Sequence, residues 1–475
     1  MKTTQKRPAA TPSAFPFPKN DPREIFGWKM YDWANSAFYT TVVGTLYGPY
    51  LTELTQRMVG NNGMVVDLGP LAITAKSFFP TCVSVTVLVQ IVLLPLLGAI
   101  ADYSNLKKKM MALFCYLAVA ATCAMFFVTN SYLLGGFLFI IATVAFAASN
   151  VLYNSFLGEI VTEDRRDRIS SRGYAYGYFG GGLLLALNLV LINGASRLGM
   201  NEDLAVRLCI LSAGVWWGTF ALITFATLKT RKAKQSLPPG KSYLRIGFSE
   251  LRHTLRELKR LPHTLKYIVA YLFYNNGIQT VISMASVFLA QELFVSRGVE
   301  TSQSFLLGIF LMVQFVAVAG AILFEFLARS INTKRAILIS LLLWIGVLCY
   351  AYALLQTTTQ AWGLGAVIAL VLGGSQALSR SLFSLMIPHG REASFFSIYE
   401  LSDRGISWAG PLLFGAVVAV TNSYRHAMLS LIVFFVIGTL LLYLSDTNRA
   451  VQDAGNLLRE EVIRSTNHQE QARTA

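Results

Sequence analysis

Asp32 and Asn35 stand three residues apart in a largely apolar stretch, where a helix would set both on one face. Gln376 and Arg380 repeat the pattern at a spacing of four, as do Asn275 and Gln279, with Asn276 beside them. Asn154 and Glu159 follow another apolar run, and Glu400, Asp403 and Arg404 crowd a single turn. Polar and ionisable groups held among apolar residues need partners, supplied by one another or by a solute. Arg380 carries the planar fork that holds a carboxylate; contact with a lipid headgroup or service in a gate would use the same group. Asp32 is also suited to capping a helix start. The three amides near 275 can bond to other helices or line a cavity. Glu400 and Arg404 have the spacing of an intrahelical pair, and with Asp403 they read as a proton site or a gate latch.

Other chemistry finds little support. The five histidines (253, 263, 389, 426, 468) are scattered through loops and the tail, and no nucleophile–base set or phosphate-binding glycine loop accompanies them. The five cysteines fall inside apolar runs, none at metal-ligand spacing, so no metal or cofactor is expected. An enzyme and an ATP-driven pump are both disfavoured.

The elements that position these residues follow from composition. Of 475 residues 54% are hydrophobic and 14% charged, against roughly 25% charged in a soluble chain. Apolar runs recur near 31–54, 73–101, 110–128, 132–158, 173–195, 204–228, 264–294, 303–328, 335–355, 360–387, 396–420 and 425–445, numbered here as spans 1 to 12. Each approaches the 20 or so residues needed to cross the hydrocarbon as a helix. The expected fold class is an all-α integral membrane protein whose partner is the lipid bilayer. The net charge of +15 sits in short loops between spans, which is the inside bias of membrane proteins and not a nucleic-acid surface. With the N-terminus inside, the outer loops keep little beyond Arg57, Arg197, Arg207, Arg297 and Arg425. Both termini are therefore expected in the cytoplasm, and the span count must be even.

Residues 1–28 are expected to be a disordered cytoplasmic arm and 446–475 a cytoplasmic tail. Residues 229–263 form a basic linker that separates a six-span half, 29–228, from a second, 264–445. Leu244, Phe248, Leu251, Leu255 and Leu258 draw one apolar stripe along that linker, suiting a helix on the inner leaflet or one packed under the bundle. The loop after span 2 runs Gly98-x-x-x-Asp102-x-x-x-x-Lys107-Lys108, and the loop after span 8 repeats it in register, with Arg329 in place of the Asp and then Lys334 and Arg335. The halves thus read as repeats; the loops suit either an asymmetric latch in which charge pairs hold the inner gate or plain positive-inside loops with a helix-capping Asp. Gly173, Gly177 and Gly181 of span 5 form a packing seam.

The loop signature resembles that of the major facilitator superfamily. Tyr31-Asp32-Trp33-Ala34-Asn35-Ser36-Ala37-Phe38 resembles the hallmark of its vacuolar amino-acid effluxer-like branch. Matches continue through Asn154-Ser-Phe-Leu-Gly-Glu159, the glycines of span 5, Tyr274-Asn275-Asn276-Gly277, Gln376-Ala-Leu-Ser-Arg380 and Gly410-Pro411. Gly158 replaces a usual Pro, and Asn276 a usual acid. The resemblance implies twelve helices in two pseudo-symmetric six-helix halves, amino-acid efflux by alternating access, and coupling to H+ or Na+. A monomer in a bacterial inner membrane is expected, moving a small polar solute. A transport-inactive sensor or scaffold of the same fold is the alternative, and a membrane-embedded lipid enzyme a weaker one.

Overall fold

The computed structural model describes residues 18–60, 63–66, 73–230, 254, 256–298, 303–404, 409–421 and 423–455. Among these, nine helices are long and apolar enough to cross a membrane, corresponding to spans 2–6, 8–10 and 12. The other three expected spans are helical as well, over residues 22–59, over Pro262–Leu293, and over Glu392–Arg404 followed by Ala409–Thr421. They fall short on length or apolarity, and they are the spans that carry Asp32, Asn275 and Glu400.

Several helices outrun the apolar stretches. Span 1 starts at Pro22, where Asp21 caps the helix by accepting the Arg23 N–H at 3.0 Å. Span 5 starts at Arg166, not 173, and span 11 at Glu392, not 396. Hydropathy marks only the lipid-buried part of a helix, while backbone hydrogen bonding continues into polar flanks that reach water or protein. Span 1 also contains a π-helical stretch, Phe38–Leu46, in which the Thr45 hydroxyl donates to the Thr40 carbonyl at 2.6 Å. A small antiparallel hairpin, Met64–Val66 with Ile73–Thr74, lies between spans 1 and 2; its strands are too short to show a period in the sequence.

Two large hydrophobic cores organise the molecule, with a smaller cluster of Leu94, Leu97, Ala147, Ala148 and Val151 between spans 2 and 4. The first centres on Trp28, Tyr31, Phe38 and Trp217, and the second on Tyr267, Trp344, Phe383 and Phe435. Leucines and valines such as Leu113, Leu187, Val190 and Leu440 stay exposed outside both cores. An apolar outer surface of that extent suits lipid and not water. The halves meet where span 2 packs on span 11 and span 5 on span 8.

The repeat seen in the loops recurs in the contacts. Lys108 Nζ donates to the Leu228 carbonyl at the end of span 6 at 2.5 Å, and Lys334 Nζ to the Ser445 carbonyl at the end of span 12 at 2.6 Å. At the opposite end, Arg207 donates to the Phe126 carbonyl at 3.1 Å and Arg425 to the Tyr352 carbonyl at 2.8 Å. Each half thus closes its helix C-termini with its own cations. Of the linker stripe, Leu244, Phe248, Leu251 and Leu255 lie outside the described residues. Leu258 is buried in the second core and Glu257 pairs with Arg391, so the described end of the linker packs under the second half.

Candidate functional site

A cavity of about 590 Å³ lies between the halves, and spans 1, 4, 5, 7, 8, 10 and 11 all contribute to its wall. The π-helical stretch places Tyr39, Thr40, Val43 and Gly44 along it. At the end of the cavity nearest the 102–107 loop, Arg380 of span 10 meets Asp32 of span 1. Nη2 lies 3.1 Å from Asp32 Oδ2, and Nη1 is 3.4 Å from both Asp32 Oδ1 and Asn154 Oδ1. Arg380 is 2% exposed and Asp32 8%. A pair this dry survives only because each charge has the other and further hydrogen-bond partners.

The glycines of span 5 make room for that pair. A Cβ on Gly173 would stand 2.5 Å from Asp32 Oδ2 and 2.9 Å from Arg380 Nη2; one on Gly177 would meet Ser36 Oγ at 2.6 Å, and one on Gly181 would meet Thr40 Oγ1 at 3.0 Å. The seam is a packing surface against span 1, and its first member borders the ion pair.

The end of the bundle that carries the 102–107 loop is tied across the halves. Asp102 accepts the backbone N–H groups of Ala393 and Ser394 at 3.0 and 2.8 Å, at the start of span 11. Gly98 permits that approach, since a Cβ there would meet the Ala393 carbonyl at 2.5 Å. Lys107 joins Asp102 at 3.7 Å and Glu159 at 2.6 Å. In the second half Arg329 pairs with Glu325, which also faces Arg172 at 3.7 Å and Arg168 at 3.9 Å on span 5. Thr333 donates to Asp167 at 2.6 Å, and Arg166 to the Ser384 carbonyl at 2.5 Å. Among the described residues, the ion pairs at the far end run within a half, as in Arg57 with Asp203 at 2.9 Å and Arg425 with Glu292 at 2.7 Å. The loop end is shut while the cavity extends toward the far end.

The structure sorts the candidates read from the sequence. Asp32, Asn35, Asn154, Gln279, Gln376, Arg380 and Glu400 line the cavity. Asn35 donates to Asn150 at 2.8 Å, and Gln376 accepts the Tyr178 hydroxyl across the halves at 2.5 Å. Asn275 and Asn276 are buried but are not in its wall. Asn276 Oδ1 accepts from Thr280 at 3.4 Å and packs where a Cβ on Gly410 would approach within 2.9 Å. Helix periodicity puts 275 and 279 on one stripe, but a neighbouring span covers this turn of the helix. Glu159 belongs to the loop-end network. Arg335 is exposed. The side chains of Asp403 and Arg404 lie outside the described residues, so the pairing of Arg404 with Glu400 has no geometry to report.

Some residues carry the arrangement without having been singled out. Glu325 occupies the repeat position of Gly98 and supplies the acid that the missing Asp appeared to remove. Trp28, Tyr153, Ser170 and Tyr174 surround Arg380. The signal for Glu325 was the in-register repeat itself; an aromatic in a membrane span gives none.

Residues 20–455 match the family model described as "Vacuole effluxer Atg22 like". Among curated proteins the chain is 28% identical to the uncharacterized MFS-type transporter YxiO of Bacillus subtilis over 87% of this chain and 93% of that one. It is 26% identical to autophagy-related protein 22-2 of Emericella nidulans over 91% of each. Its fold is that of the major facilitator transporter FucP in the outward conformation, with a TM-score of 0.63, 12% identity, and coverage of 90% of this chain and 99% of that one.

Proposed function

The chain belongs to the family of Atg22-like vacuole effluxers, and we propose that this multi-pass membrane transporter exports amino acids or closely similar small zwitterions from the cytoplasm by alternating access. One observation carries the reading. A cavity of about 590 Å³ between the halves, within the usual range for a small-molecule site, presents one carboxylate and one guanidinium side by side at its closed end. An amino acid carries the complementary ammonium and carboxylate on adjacent atoms. The family description, an effluxer, supports a carrier that moves solute across a membrane, and the basic loops support a cytoplasmic location for the loop end in a bacterial inner membrane. Coupling to H+ or Na+ would run through the acids of the cavity wall, Asp32 and Glu400. No nucleic acid and no second subunit enters this cycle, which a monomer can complete.

The test is counterflow. Purified protein in liposomes loaded with unlabelled amino acids is expected to accumulate labelled amino acid saturably, and Asp32→Asn to abolish this with insertion intact. Well-inserted protein that exchanges no amino acid overturns the substrate class.

A further inference from the structure

Among the described residues, every group that holds Arg380 belongs to the opposite half. Nε–H donates to Ser170 Oγ at 2.9 Å and Nη2 to the Ser170 carbonyl at 2.9 Å, beside the bonds to Asp32 and Asn154 described above. Ser170 Oγ is itself oriented by donating to the Ala377 carbonyl at 2.8 Å. Three rings complete the enclosure, with the guanidinium carbon 4.1 Å from the centre of Tyr174, 4.9 Å from Trp28 and 5.8 Å from Tyr153. Spans 1, 4 and 5 therefore build a receptor for a cation from a carboxylate, an amide oxygen, a hydroxyl, a carbonyl and three π faces. Span 10 supplies its occupant. Asp32, Tyr153, Asn154 and Tyr174 also line the cavity, so the receptor can be reached from there.

We infer that this enclosure is a binding site for the organic cation of the solute, an ammonium or guanidinium group, and that Arg380 occupies it as a tethered surrogate which the solute displaces. The inference rests on the carrier reading and adds which charge goes where: the ammonium to Asp32 in the first half, and the carboxylate to the freed Arg380 in the second. Parting the halves at the loop end draws span 10 away from spans 1 and 5 and strands two buried charges. A zwitterion repairs both losses. An amine leaves Arg380 unpaired, an acid leaves Asp32 unpaired, and a neutral solute repairs neither. The pair thus selects zwitterions and ties the opening of the gate to their presence.

Chemical rescue tests the site without any flux measurement. Full-length Arg380→Ala, and Arg380→Gln should the first fail to purify folded, is expected to melt below the parent. Millimolar methylguanidinium or ethylammonium chloride should raise its melting temperature saturably, while sodium chloride at equal ionic strength should not. Asp32→Asn in the same background should remove that response. No saturable stabilisation in either single variant, or an undiminished one in the double variant, overturns the inference. A protein that exchanges no amino acid but shows the rescue would refute the substrate class and keep the cation site.

Discussion

Asp102 and Ser394 lie 292 residues apart in the chain, yet the Asp102 carboxylate accepts the Ser394 backbone N–H at 2.8 Å and so caps the helix that opens span 11. The acid of one half meets the positive end of a helix dipole of the other. This contact exists only while the loop end is shut, so it contributes to the equilibrium between the two faces of the carrier.

Removing it should bias that equilibrium. Asp102→Ala loses two charge-assisted hydrogen bonds, each of about 1.5–3 kcal/mol, though relaxation will recover part of this. A cysteine at Ser384, introduced in a background with the native cysteines replaced, should react with a membrane-impermeant maleimide about tenfold or more faster when Asp102 is Ala. Unchanged labelling would show that other ties hold the loop end alone.

Neutralising one member of the Asp32–Arg380 pair should cost more than neutralising both. Asp32→Asn strands a buried guanidinium, at about 3–5 kcal/mol. Asp32→Asn with Arg380→Gln should recover much of that, read as melting temperature in a double-mutant cycle. Additive losses would mean that the charges do not depend on each other.

Gly173→Ala should be poorly tolerated, because its new methyl lands within 2.5 Å of Asp32 Oδ2. Overpacking of this kind costs about 1–3 kcal/mol and should also reduce exchange. Gly194, on the same helix, has nothing within 4 Å of its own Cβ position. Gly194→Ala serves as the control and should leave both melting temperature and exchange near the parent values.

Lys108→Met and Lys334→Met each remove a cation from a helix C-terminus, worth about 0.3–2 kcal/mol. The two sites belong to different halves and share no partner, so their effects on melting temperature should add. A clear departure from additivity would argue against two separately braced halves.

Much of this architecture could be read from the amino-acid order alone. Spans 2–6, 8–10 and 12 stand out because lipid demands long uncharged runs, and the paired loops at 98–108 and 325–335 show the repeat because the same capping need recurs in each half. Asp32 and Arg380 were recognisable singly, as charges where charge is costly. That they face each other required the fold, since 348 residues separate them and no local spacing encodes the meeting of spans 1 and 10. The aromatic enclosure of Arg380, the acid supplied by Glu325, and the withdrawal of Asn275 and Asn276 from the cavity wall are likewise products of packing. Helical period assigns a residue to a face, but only the neighbouring helix decides whether that face meets a cavity, a glycine or another charge.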